Sequence, residues 1–294
     1  MKETARLWVL TEPYYPEETS TGYYLTRIAE GLAEDIPVSV ICGQPNYSAR
    51  GHIAPPRETH KNVDIYRAGG TRLDKNVIVF RLVNMLTNGI AIFAKALQKF
   101  RNGDRVLVVT TPPSLPFVAA VASLVRGASY TLLIHDNYPE ILIAAKKTHP
   151  NSAIVRVNHF LNRWLYKYAA RIVVVGRDME HLVGKKAAGL DVPITTITNW
   201  GENDAVVPIA RSENRLLREL GLDDKFVFLY AGNIGYPNDI ESIISAAEEL
   251  KATPEIHFIF LGAGAKRKWL LDEVRTRGIT NVSILEPRPR TEQI

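Results

Sequence analysis

A chain of 294 residues is long for one hydrophobic core and suits two, since domains run to roughly 100–200 residues. Its 46% apolar and 23% charged content is ordinary globular composition, which excludes a disordered or fibrous chain. The net charge is a modest +5, all of it held by residues 72–101, where six cations face one acid; the aromatics are not interleaved with these cations in a way that suggests a nucleic-acid site.

Taken in order, the chain alternates apolar runs with helical patterns. Residues 6–11 predict a first strand. Residues 23–34 predict a helix with Tyr24, Leu25, Ile28, Ala29 and Leu32 on one face. Strands follow at 38–42, 63–67 and 105–110, the last stopped by Thr111-Pro112-Pro113. Residues 114–134 are almost continuously apolar, enough for a membrane span, but Arg126-Gly127 interrupts them. A helix over 116–125, a turn and a strand over 130–134 use the same residues without burying arginine in lipid. Further strands are predicted at 171–175 and 194–197. These runs are apolar on both faces, as in a parallel sheet covered by helices on each side, so the expected class is a doubly wound α/β fold.

Residues 201–212 are irregular, and a domain boundary is expected there, separating 1–205 from 206–294. The pattern then restarts with helices at 213–220, 238–250 and 266–277 and strands at 226–230, 256–261 and 282–285. Three strands make the second doubly wound unit incomplete against the usual five or six. Cys42 is the lone cysteine, so no intrachain disulfide can form. With no recognisable signal peptide, a cytoplasmic address is expected.

Four places carry residues suited to chemistry. Thr21 and Gly22 open the first helix, where they fit either plain capping or a close backbone approach to an anion. His135 and Asp136 follow a strand at the sheet's carboxyl edge, where open α/β sheets bind ligands. The pair suits sugar hydroxyls or acid–base work, and equally a satisfied histidine beside a capping aspartate. Gly232, Asn233 and Gly235 end one strand, and Gly262, Gly264, Lys266, Arg267 and Lys268 end the next. Two successive glycine turns, one followed by three cations, suit a diphosphate; glycine also ends many strands, and the cations also fit a solvated face. Residues 76–101 combine a helical apolar stripe (Val79, Val83, Leu86, Ile90, Phe93, Leu97) with flanking cations. Such a segment fits either peripheral contact with an anionic membrane or a long core helix with a basic end. No metal site is expected, because the seven histidines lack ligand spacing and Asp-x-Asp is absent.

In order, "EPYYPEETSTGYYLTRIAEGLAE" (12–34), "TTPPSLPFVAAVAS" (110–123), "HDNYPE" (135–140), "RIVVVGRDMEHLV" (171–183), "ITNW" (197–200) and "YAGNIGYPNDIESIISAAEEL" (230–250) resemble the retaining glycosyltransferases of family 4. The resemblance is nearest to the branch that builds bacterial exopolysaccharide and O-antigen, which includes the colanic-acid fucosyltransferase. It implies the GT-B fold, two Rossmann-like domains with the active site between them, an N-terminal acceptor domain and a C-terminal donor domain. It also implies a hexosyl transfer, without metal or cofactor, from a UDP- or GDP-sugar to a lipid-linked or saccharide acceptor at the inner face of the cell membrane. By the resemblance, His135 and Asp136 meet the transferred sugar, Gly22 lies near donor phosphates and acceptor, and Gly232 to Gly235 line the diphosphate. The family's arginine and lysine after the first glycine are replaced here by Asn233 and Asn238, for which Lys266, Arg267 or Lys268 could compensate. The family's Glu-x7-Glu motif lies past residue 294; Glu241 and Glu249 share its spacing but sit on another helix, which reads as a solvated face. The resemblance therefore implies a C-terminally truncated chain and leaves open whether it is active as it stands. A non-catalytic membrane-surface scaffold of the same fold is the alternative; a sugar-nucleotide epimerase would need further acid–base residues.

Overall fold

The computed structural model describes residues 5–45, 53–71, 73, 78–201, 206–236 and 238–288, with backbone alone at Ile78 and Arg81. Arg72, Asp74, Lys75 and Asn76 of the basic window, and the side chain of Arg81, lie outside the described residues. The chain divides into two compact units, Met1–Asn199 and Trp200–Ile294.

The first unit is an eight-stranded sheet with helices on both faces. Its strands are β1 (Leu7–Leu10), β2 (Val38–Cys42), β3 (Arg57–His60), β4 (Val63–Arg67), β5 (Arg105–Val109), β6 (Ser129–Ile134), β7 (Arg171–Val174) and β8 (Ile194–Thr196). They lie in the order β3-β4-β2-β1-β5-β6-β7-β8. Every neighbouring pair is parallel except β3 with β4. The central strands are buried on both faces; all five residues of β2 are inaccessible. The order reverses between β1 and β5, the switch point at which open α/β sheets hold ligands.

The helices are α1 (Ser20–Leu32), α2 (Ile78–Lys99), α3 (Leu115–Arg126), α4 (Glu140–Ala144), α5 (Ala153–Tyr168) and α6 (Arg177–Lys186). Right-handed crossovers put α1 on one face of the sheet and α2, α3, α5 and α6 on the other. There α3 packs between α2 and α5, and α5 packs against α6. The apolar stretch 114–134 folds as helix, turn and strand. Gly127 ends α3 with φ of 68°, and a Cβ there would lie 2.7 Å from the Asn102 side chain, so the turn needs glycine.

Several sequence expectations shift. Helix α1 starts earlier than expected, and its N-cap is Thr19 rather than Thr21, the Thr19 hydroxyl accepting from the Gly22 N–H. Its buried face is Gly22, Leu25, Thr26, Ala29 and Glu30, while Leu32 points outward. Burial of Glu30 is offset by Arg27, His60 and Lys61, which all pair with it. Strand β3, with the sequence RETH, gave no apolar signal because it is a half-exposed edge. In α2 the core side is Ile92 and Ala96, with Phe100 buried just past its end, whereas Val79, Val83, Leu86 and Ile90 of the predicted stripe are exposed.

The second unit contains α7 (Arg215–Leu220), β9 (Phe226–Ala231), α8 (Ile240–Glu249), β10 (Ile256–Leu261), α9 (Arg267–Thr276) and β11 (Val282–Leu285). Its strands form a parallel sheet in the order β11-β10-β9. Ile234, Ile240, Ile244, Phe258, Phe260 and Leu270 form its core. Strand β9 lies at the sheet edge with Phe226, Phe228 and Leu229 exposed.

Candidate functional site

In the first unit, neighbouring strands β5 and β6 end side by side, and their loops are bonded together. The Thr110 hydroxyl, directly after β5, accepts the backbone N–H groups of His135 at 3.1 Å and Asp136 at 3.0 Å. The Thr111 hydroxyl donates to Asp136 Oδ2 at 2.6 Å. The His135 and Asp136 backbone and one carboxylate oxygen are therefore held by two adjacent threonines on a rigid strand end. Burial lowers the pKa of His135, and the Asp136 charge only opposes this, so the imidazole is neutral at pH 7. Its Nε2 is buried without a hydrogen-bond partner among the described residues. Both carboxamide atoms of Asn137 share that condition. Buried polar atoms are rarely left unmet, so the loop after β6 offers unspent hydrogen-bonding capacity to a polar ligand.

The same loop is held from below. Asn162 Nδ2 of α5 and Lys186 Nζ of α6 both donate to the Tyr138 carbonyl at 2.7 Å. Lys186 also pairs with Glu140 Oε2 at 2.7 Å, its side chain only 8% exposed. Burial pulls the Lys186 pKa down, against the opposing hydrogen bond and charge of Glu140.

The loop between β1 and α1 packs tightly. A Cβ on Gly22 would lie 2.9 Å from the Glu17 carbonyl, so this glycine is required by packing whether or not a ligand approaches. Thr21, beside it, is half-buried. Arg67, buried and ion-paired with Glu58, donates to the Tyr15 carbonyl at 2.7 Å and ties this loop to the β3–β4 hairpin. A groove of about 260 Å3 runs beside α1, lined among others by Tyr15, Tyr23, Arg27, Glu30 and His60. The Tyr15 ring stacks on His60 at 3.8 Å.

In the second unit the two glycine turns pack backbone on backbone. A Cβ on Gly262 would come within 1.9 Å of the Gly232 carbonyl oxygen, and one on Gly264 within 2.2 Å of the Ile234 carbonyl oxygen. Gly232, Gly262 and Gly264 have φ of 152°, 156° and 155°, which L side chains seldom adopt. Ile234 N–H donates to the Ala263 carbonyl at 2.8 Å, and Lys266 N–H to the Ile234 carbonyl at 3.0 Å. Asn238 and Tyr230 both donate to the Asn233 carbonyl. Asn238 thus locks the turn at the place where the resembled family carries a cation. A Cβ on Gly235 would lie 2.6 Å from the Asn233 carboxamide.

Lys266, Arg267 and Lys268 cluster at the N-terminus of α9. Cations there oppose the helix dipole and are unfavourable unless anions compensate. Glu241 pairs with Lys266 and Glu286 with Arg267, while Lys268 is exposed. Glu241 is therefore engaged with this cluster rather than merely solvated. Its pKa is lowered, first by the Lys266 hydrogen bond. Among the described residues no group of three or more His, Cys, Asp or Glu is placed to hold a metal ion.

Sequence reasoning named His135, Asp136 and the glycine turns but missed the groups that support them. Thr110 and Thr111 lie in the quoted run "TTPP", where the strand stop hid their hydroxyl chemistry. Asn162 and Lys186 lie on helices 24 and 48 residues from Tyr138 and leave no local signal.

The family model for the glycosyl transferase 4-like domain matches residues 20–200. The protein named Probable glycosyltransferase WbjE of Pseudomonas aeruginosa is 28% identical over 275 residues, covering 94% of this chain and 66% of its own. WcaI of Escherichia coli strain K12, named as a glycosyl transferase of colanic acid biosynthesis, is 25% identical, covering 92% of this chain and 68% of its own. The chain thus spans about two thirds of the length of these relatives. The crystal structure of Anabaena HepE in complex with UDP and glucose superposes with a TM-score of 0.67 at 14% identity, covering 97% of this chain and 70% of that one. This likeness shows the fold, the α/β architecture of GT-B glycosyltransferases.

Proposed function

The chain belongs to the glycosyl transferase 4-like domain family, and from that premise we propose that it moves a hexose from a UDP- or GDP-sugar to a lipid-linked or saccharide acceptor, with retention at the anomeric carbon, in cell-surface polysaccharide synthesis. The observation that carries this reading is the pair of interlocked glycine turns ending at three cations. The glycines keep the backbone of both turns clear of side chains, and Lys266 and Lys268 supply positive charge to offset the negative charge that a diphosphate leaving group gains as its bond to the anomeric carbon breaks. Neutral His135, with Nε2 unpartnered, suits a hydroxyl of the transferred sugar. Asp136, oriented by Thr111, is the carboxylate available to take the acceptor's proton. The Tyr15–His60 stack and the carboxylates beside α1 suit a saccharide acceptor. WcaI's place in colanic acid biosynthesis and the UDP and glucose bound to HepE support the acceptor class and the donor class in turn.

Peripheral membrane contact through α2 belongs to the same reading. Its first four turns expose Val79, Leu82, Leu86 and Ile90, and no described helix is long and apolar enough to cross a membrane. Such contact would place the enzyme at the cytoplasmic face, where nucleotide sugars meet lipid-linked acceptors.

The test has two arms. Calorimetric titration of the chain with UDP and GDP should show binding that weakens about 100-fold in the variant Lys266→Ala/Lys268→Ala, each lost charge-assisted contact being worth roughly tenfold. Labelled UDP- and GDP-sugars with membrane-extracted lipid acceptor should yield labelled product, lowered at least 100-fold by His135→Ala or Asp136→Asn. Absence of transfer by a chain extended to the relatives' full length overturns the proposal.

A further inference from the structure

Three neighbouring helices on one face of the first unit, α2, α3 and α5, contain no aspartate or glutamate. Elsewhere acids are frequent; α6, next in the row, carries Asp178 and Glu180 in its first turn. The outer sides of the three helices are instead apolar and basic. On α2, Leu86 is 63% exposed; on α3, Val125 is 66% exposed; on α5, Phe160 is 74% exposed. Val157 and Ile154 extend the α5 stripe at helical spacing. Arg126 at the end of α3 and Arg156, Arg163 and Lys167 on α5 are exposed beside these residues. A groove of about 240 Å3 follows the α2–α3 seam, lined by Met85, Leu86, Gly89, Ile90, Phe93 and Val118.

Scattered exposed apolar residues need no explanation, but three adjacent helices sharing this pattern do. The only other large apolar exposure described above, on β9, lacks this charge bias. An apolar face bordered by cations and free of acids matches an anionic lipid surface by charge as well as by hydrophobicity. Repulsion by carboxylates is removed across these three helices, which a docking site for a second copy of the chain would not require.

We propose that α3 and α5 form, together with α2, one docking face for an anionic phospholipid bilayer, with Phe160, Val157 and Val125 entering the interface and Arg126, Arg156 and Lys167 meeting the headgroups. This extends the α2 contact proposed above and assigns a role to α5, a helix outside residues 76–101. The face lies on the membrane, and the loops after β5 and β6 are carried by the strands beneath it.

Vesicle co-sedimentation with the 294-residue chain tests it, using phosphatidylcholine alone and phosphatidylcholine with phosphatidylglycerol. Binding is expected only to the anionic vesicles. Val157→Glu/Phe160→Glu on α5 should lower partitioning at least tenfold, two buried apolar side chains being lost. Arg156→Gln/Lys167→Gln should lower it roughly thirtyfold at low salt. Circular dichroism should show all variants folded, since these side chains are exposed. If Leu86→Glu/Ile90→Glu abolishes binding while both α5 variants pellet like the parent, the α2 contact stands and the inference is overturned. If the parent chain ignores anionic vesicles, both fall. Equal pelleting with neutral vesicles, or loss of self-association in the α5 variants without any vesicle binding, also overturns it.

Discussion

Replacing Thr110 with valine keeps the side-chain volume and removes one oxygen. That oxygen accepts two backbone donors, His135 N–H at 3.1 Å and Asp136 N–H at 3.0 Å. Thr110 is itself 9% exposed, so a valine methyl would fill the place of any replacement water. A buried donor left unmet costs about 1–3 kcal/mol. Because His135 and Asp136 are only half-buried, the low end applies to each, and the sum is about 2 kcal/mol. For a unit of this size that lowers Tm by about 4–8 °C. The effect on sugar transfer should be larger, near 100-fold, because releasing the two peptide groups frees both reacting side chains to shift by about 1 Å. Thr111→Val is the matching control. It spares the two backbone bonds and removes only the donor to Asp136 Oδ2 at 2.6 Å, so the transfer rate should fall with a smaller change in Tm. Thermal melts followed by circular dichroism, beside the labelled-sugar assay, read both quantities. A Thr110→Val protein that melts within about 1 °C of the parent and transfers at the parent rate refutes the claim that this hydroxyl holds the pair.

Two further outcomes follow from the same geometry. His135 has a folded-state pKa below its ordinary 6.5, so between the two values the unfolded chain binds more protons and stability rises with pH. The contribution is complete above about pH 6.5 and is lost as pH falls through the folded value; His135→Gln should flatten the decline of Tm on acidification, and an unchanged slope would remove His135 as its source. Gly262→Ala places a methyl 1.9 Å from the Gly232 carbonyl oxygen and must part the two turns. It should destabilise the second unit by about 3 kcal/mol or more and abolish UDP or GDP binding, measured by urea unfolding and calorimetry; retained nucleotide binding would show that the interlocked turns are not the diphosphate site.

Much of the fold was legible because buried parallel strands are apolar on both faces. Strands β2, β4, β10 and β11 have the bounds that periodicity predicted. The glycine turns were legible as residue types, but why they are glycine was not. Only the structure shows Gly262 lying against the Gly232 carbonyl and Gly264 against the Ile234 carbonyl, contacts between turns 30 residues apart in sequence. Helix α5 escaped notice because Ile154, Val157 and Phe160 look like any helical apolar stripe.

The amino-acid order alone determined the α/β alternation, the strand ends at which His135 and the glycines fall, and the absence of acids from α2, α3 and α5, since these depend on local composition and spacing. Tertiary structure decided which stripe faces outward, which hydroxyl holds which peptide, and that Lys186 reaches the Tyr138 carbonyl. Those facts depend on how strands order themselves in the sheet, and strand order is set by pairing energies between segments far apart along the chain, which no local pattern encodes.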